Sequence, residues 1–98
     1  MGAYDTEGTA PGELTAAADG TVSLGFAAQQ ALTTGAGNTA VGFKALRTNI
    51  DGDYNTAVGY KALETFEANS DGDGENTAVG YHAGQAVSTG TRNTILGA

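Results

Sequence analysis

The sequence predicts an all-β fold: a parallel β-solenoid, or β-roll, of about four to five coils, each 17 residues long. Three observations carry that expectation. First, Asn-Thr-Ala-Val-Gly occurs at 38–42, 55–59 and 76–80, with a variant copy Asn93-Thr94-Ile95-Leu96-Gly97 and a looser one, Thr21-Val22-Ser23-Leu24-Gly25. The closing glycines Gly25, Gly42, Gly59, Gly80 and Gly97 are spaced by 17, 17, 21 and 17 residues. Second, the motif alternates: Val22, Leu24 and the Thr/Val pairs share one face, while Ser23, Ala40, Ala57, Ala78 and Ile95 share the other. Period two with Thr and Val reads as a short strand, and glycine twice per unit disfavours a helix. Third, Leu, Ile, Val and Phe number only 16 of 98 residues, against 16 Gly, 18 Ala and 14 Thr. An ordinary two-layer globule needs more large apolar side chains. Such a chain is either unfolded or stacked so that small side chains suffice.

The length allows one domain. Residues 1–20 stand outside the repeats, carry acids and a Pro11-Gly12 turn signal, and read as a disordered leader or an attachment arm. Tyr4, Leu14 and Met1 would be the apolar anchors of such an arm. Residues 21–98 form the repeat domain, with four complete units from Thr21 to Arg92 and a fifth beginning at Asn93.

Each unit is expected to open with a strand of about 4–5 residues, turn at a positive-φ glycine, and return through a second short stretch at Ala-Leu. Gly35, Gly52 and Gly90 mark the second turn. The corner asparagines Asn38, Asn55, Asn76 and Asn93 suit backbone bonding and the left-handed region. The interior is expected to hold Ala, Thr, Val and an occasional Leu or Ile. The aromatic column Phe26, Phe43, Tyr60 and Tyr81 is expected to supply the largest buried area per unit, with ring stacking worth about 0.5–1.5 kcal/mol per pair. Lys44, Lys61 and His82 share one column, which must face water because like charges repel one coil apart. A stack this small has open ends and little core, so self-association is the remedy. A homotrimer would bury the aromatic or alanine columns together with Val41, Val58 and Val79.

The unit Asn-Thr-Ala-Val-Gly-[Phe/Tyr]-x-Ala-Leu resembles the repeat of phage tail fibres and other virion surface proteins. It is also similar to the head repeat of trimeric autotransporter adhesins, Val22-Ser23-Leu24-Gly25 being closest to the adhesin form. The resemblance covers Thr21 to Ala98, although the unit here is longer than the adhesin one. It implies a left-handed parallel β-roll trimer at a virion surface, or alternatively at a bacterial cell surface or outside the cell.

The one irregularity is a four-residue insertion between Leu63 and Asn76. Insertions in solenoids emerge as loops, often on the binding face. Phe66 is expected to fold back over the coil. Asp71, Asp73 and Glu75 alternate like the first ligands of a calcium loop. Asn76 and His82 then stand where such a loop needs Gly and Glu, so the stretch reads as a solvated acidic turn.

Other chemistry finds little support. Net charge is −7 with only Lys44, Lys61, Arg47 and Arg92 as bases, which offers no footprint for nucleic acid. There is no Cys and no apolar run of membrane-spanning length. His82 is replaced by Lys or Ala in the equivalent positions, and none of Ser23, Ser70 and Ser88 sits in a nucleophile-elbow context. Gly35-Ala36-Gly37 reads as a turn rather than a phosphate cradle. The expected role is therefore non-enzymatic and without cofactor. It is that of a capsid decoration protein or short fibre docked to a larger assembly such as the major capsid protein. The alternative is an adhesin module contacting a host glycan or protein.

Overall fold

A computed structural model describes residues 20–67 and 74–98. It is a β-solenoid of about four turns, and no helix occurs among the described residues. The strands are β1 (Val22–Leu24), β2 (Thr39–Val41), β3 (Thr56–Val58), β4 (Thr77–Val79) and β5 (Thr94–Leu96). They form one parallel sheet in chain order, and equivalent residues pair: Ser23 with Ala40, Ala40 with Ala57, Ala57 with Ala78, Ala78 with Ile95.

Each strand has three residues, shorter than the expected four to five, and the return stretch through Ala-Leu is not a strand. Two tight turns take its place. One closes between the corner glycine and the alanine three residues on, as where Ala28 N–H donates to Gly25 C=O (3.2 Å). The other closes from Leu46 to Asn49 (3.3 Å), from Leu63 to Phe66 (3.2 Å) and at the equivalents. These turns place non-glycine residues in the left-handed region: Lys44 (φ 60°), Lys61 (59°) and His82 (58°) in one column, Gln29, Leu46 and Leu63 (each 51°) in another. Left-handed backbone costs an L-residue roughly 1–2 kcal/mol. A coil-to-coil bond offsets that cost each time, since Lys44 N–H donates to Phe26 C=O (2.8 Å) and Leu46 N–H to Ala62 C=O (3.0 Å).

The inside of the coil differs from expectation. The strand's Thr and Val face outward, and only its middle residue points in, leaving Ala40, Ala57 and Ala78 fully buried. Around them lie Ala28, Ala45, Ala62, Ala83, Leu46, Leu63 and Phe66, with Val87 and Ile95 packed against the cluster. The alanine columns are thus spent within the chain and are not free for a neighbour. Phe66 does fold back as a cover, at 0% exposure. The aromatic column is not the buried one: Phe26, Tyr60 and Tyr81 are 48%, 42% and 61% exposed. The lysine and histidine column is half-buried rather than fully in water.

A spine of asparagines runs up one corner. Asn55 donates from both its N–H and its Nδ2 to Asn38 Oδ1 (2.8 and 3.0 Å). Asn76 repeats this on Asn55 Oδ1 (both 3.1 Å), and Asn93 on Asn76 Oδ1 (3.0 and 2.9 Å). The amide works here because it both donates and accepts, so one residue type satisfies itself indefinitely along a column. The left-handed residue at this corner is the one before the asparagine: Gly37 (φ 68°), Tyr54 (59°), Glu75 (61°) and Arg92 (58°). Asn49 is a further buried polar residue, closing its own turn through Gly52 N–H to Oδ1 (3.0 Å).

The expected positive φ of the corner glycine is present, at +131° for Gly42. A Cβ there would also lie 2.5 Å from the Gly59 carbonyl oxygen of the next coil. Gly42→Ala should therefore lower the thermal midpoint by about 10–20 °C, because strain and clash together cost a few kcal/mol. Gly97→Ala, with open space around its Cβ, should lose half as much or less in the same circular-dichroism melt. Asn55→Ala should cost about 2–4 kcal/mol by urea unfolding, since it strands the buried Asn76 N–H and breaks the spine mid-stack.

Candidate functional site

With the interior filled, the outward columns carry what the molecule can offer a partner. No cavity opens among the described residues. The outer strand face presents Val22, Leu24 and Val79, each more than a third exposed, with Val41 and Val58 half-buried between them. One residue beyond the glycine corner stands the aromatic ladder. Phe26 and Phe43 stack at 5.5 Å between centroids and 14°, Phe43 and Tyr60 at 4.9 Å and 12°, Tyr60 and Tyr81 at 5.4 Å and 13°. The rings are offset and nearly parallel because coils about 4.8 Å apart bring equivalent side chains side by side. Their faces cover one another, and their edges point outward.

Cations flank the ladder. Lys44 Nζ lies 5.0 Å from the Phe43 centroid and Lys61 Nζ 5.5 Å from that of Tyr60. His82 takes the same place in the next coil, stacked on Tyr81 at 3.9 Å. Desolvated over a ring, a lysine gains a cation–π attraction that partly compensates the repulsion of its neighbour one coil away.

The acids lie along the arc that runs from the second turn to the corner before the strand. Glu64 pairs with Arg47 (3.4 Å) and accepts from Gln85 Nε2 (2.9 Å). Asp53 Oδ1 accepts from Ala36 N–H (2.7 Å), and Glu67 Oε1 from Ile50 N–H (3.1 Å). Glu75 is exposed and pairs with Arg92 (3.0 Å). Asp71 and Asp73 lie outside the described residues, as do Tyr4 and Leu14. Among the described residues no group of three His, Cys, Asp or Glu comes together. Ser23 faces inward in the first coil, where it accepts from Gln29 Nε2 (2.9 Å), while His82 is half-buried, stacked on Tyr81.

Sequence reasoning did not anticipate the polar interior of the first coil. Thr21, Ser23 and Gln29 are buried where later coils carry Asn, Ala and Leu. The signal was present in the loose first repeat, which departs from consensus at inward Thr21, Ser23 and Gln29 as well as at outward Val22 and Leu24. Nor did it anticipate the ladder's outward placement, since an aromatic after a turn reads equally well as core or surface. Comparisons with protein-family models, with curated proteins and with solved structures found no match.

Burial lifts the Glu67 carboxyl above its ordinary value of 4.5, the Ile50 N–H bond pulls the other way, and the Asp51 charge adds to the rise. The folded form therefore holds this proton more tightly than the unfolded chain. Its contribution to stability is full below the ordinary value and is lost as pH rises through the folded one. Glu67→Gln keeps an acceptor for Ile50, so urea midpoints of the variant should fall less than the parent's between pH 4 and pH 7.

Proposed function

We propose that the protein is a non-enzymatic structural protein of a virion surface: a homotrimeric β-roll acting as a capsid decoration protein or a short fibre. One observation carries this reading. The solenoid closes its interior with its own side chains, yet leaves outside a Val/Leu strand column and a ladder of stacked rings, with a threonine column beside them. Apolar surface gains roughly 25 cal/mol per Å² on leaving water, and contiguous patches of this kind mark contacts with other chains. Ring faces already covered by other rings do not suit flat stacking on a sugar. Ring edges and valines do suit another flat apolar surface, and a second copy of the chain has one. A closed threefold arrangement buries that face on every copy.

The mechanism is mechanical. Coil-to-coil backbone bonds tie every turn to the next, which makes a stiff stack. The resemblance of the repeat to those of tail fibres and virion surface proteins supports a place on the particle, with residues 1–20 as the segment that attaches to the capsid protein. A second reading, an adhesin module at a bacterial surface, is favoured by the longer third unit. Its extra residues are the sole break in an otherwise regular array and would contact a host glycan or protein.

Sedimentation equilibrium should give three chains per particle; a stable monomer at micromolar concentration overturns the reading. Replacing Phe43 and Tyr60 together by Ser should shift the particle toward monomers while the circular-dichroism spectrum stays that of the parent, because both rings lie outside the core. On the capsid reading the protein co-purifies with virions, and removal of residues 1–20 abolishes docking while leaving the rod folded. Glycan-array binding that disappears when the insertion is shortened selects the adhesin reading instead.

A further inference from the structure

The stack is built differently at its two ends. In the first coil Thr21, Ser23, Ala28, Gln29 and Leu32 are buried. In the last rung Thr94 and Leu96 are exposed, Leu96 at 74%. That rung still closes the interior. Ile95 stands where the lower rungs carry Ala40, Ala57 and Ala78, and Gly84 stands where the two coils before it carry Leu46 and Leu63. The isoleucine fills the room the glycine leaves, since a Cβ on Gly84 would meet Ile95 Cδ1 at 2.9 Å. What stays open is the backbone edge of β5. Thr39, Thr56 and Thr77 each donate their N–H to the next coil (2.8 Å). The equivalent N–H of Thr94 has no acceptor among the described residues. A parallel ladder alternates, so the N–H and C=O groups of Thr94 and Leu96 point away from β4 while those of Ile95 point toward it. Natural sheets blunt such an edge with charged residues or proline. Asn93 to Gly97 contain neither.

We propose that β5 is a docking edge whose occupant is β5 of a second copy of this chain, paired antiparallel about a two-fold axis through Ile95. In that register Thr94 and Leu96 of one copy stand opposite Leu96 and Thr94 of the other, each pair exchanging N–H···O bonds in both directions. Every open edge group is then satisfied without any other sequence, as a self-complementary two-fold contact requires. The axis is normal to the sheet. Ile95 therefore lies beside its own equivalent on the inner face, and Leu96 beside Thr94 on the outer face, where its exposed side chain is partly covered. A head-to-tail join of β5 to β1 is disfavoured, because the first coil is already buried. The inference goes beyond the trimer: the ring ladder and the valine column run along the stack, whereas this contact lies across its end. Where strand faces meet on a threefold axis, the two-fold crosses that axis, and two trimers join end to end through all their edges at once. A three-residue strand makes a weak contact, so joined particles accumulate as concentration rises.

Sedimentation equilibrium of the full chain from micromolar to millimolar concentration should show the particle doubling. Leu96→Pro removes one outward N–H and sets a ring on the edge, while every bond from β5 to β4 stays intact. It should abolish the doubling and keep the parent's circular-dichroism melt. The chain has no cysteine, so cross-linking reads the register cleanly. Thr94→Cys and Leu96→Cys proteins, mixed and mildly oxidised, should give the mixed disulfide dimer in preference to either homodimer, because opposed residues of an antiparallel pair lie within disulfide reach. No doubling, doubling that Leu96→Pro leaves unchanged, or a homodimer as the main covalent product overturns the edge contact. A trimer that never doubles leaves the trimer reading standing. A monomer that doubles and gives the mixed dimer removes the trimer and keeps the edge.

Discussion

Backbone hydrogen bonds that hold successive coils about 4.8 Å apart, in register, govern everything else in this molecule. Val22 N–H reaches the Asn38 carbonyl (2.9 Å), Gly42 N–H the Leu24 carbonyl (2.7 Å), and the same bonds recur one coil on. Once coils are locked in this way, each side chain lives beside its own equivalents. A position works only if its residue tolerates a copy of itself above and below. Alanine does, by contact. Asparagine does, because its amide is donor and acceptor at once. The corner glycine does, because there is no room for a Cβ between successive corners. Lysine does so less readily, and both lysines lie over a neighbouring ring.

The same bonds carry the strained backbone. Ten non-glycine residues among those described have positive φ, a costly arrangement for a chain of this size. Among them, Lys44, Lys61 and His82 each donate their N–H to the preceding coil, and Tyr54 donates to Ala36 (2.9 Å). The left-handed turn is what aims these amides along the stack. The first coil breaks the pattern on its inward side: Gln29 donates to the Val22 carbonyl (2.8 Å) and to Ser23 Oγ (2.9 Å), so a polar interior closes that end where leucine and alanine fill the rest.

A thin interior has a consequence for function. Alanine, leucine and Phe66 already fill it, so the ladder rings, one per coil, lie outside. Stacked edge-out beside the strand valines, they make a surface suited to another flat surface. That is the physical basis of the structural role proposed above.

The coil, its period and its parallel register were legible in the sequence, because five copies of one motif can be satisfied in only a few ways and the glycine spacing states the length of each turn. The role of the corner glycine and the folding back of Phe66 were legible for the same reason. The sidedness of the columns was not. Alternation divides Thr/Val from Ala without saying which is inside, and composition favours valine as core. Tertiary structure decided it: in a three-residue strand only the middle residue meets the Ala, Leu and Phe side chains of the turns, so alanine went in and valine and the rings went out. The asparagine spine likewise emerged only when coils were stacked, since a bond between Asn38 and Asn55 has no trace in either residue's local neighbourhood.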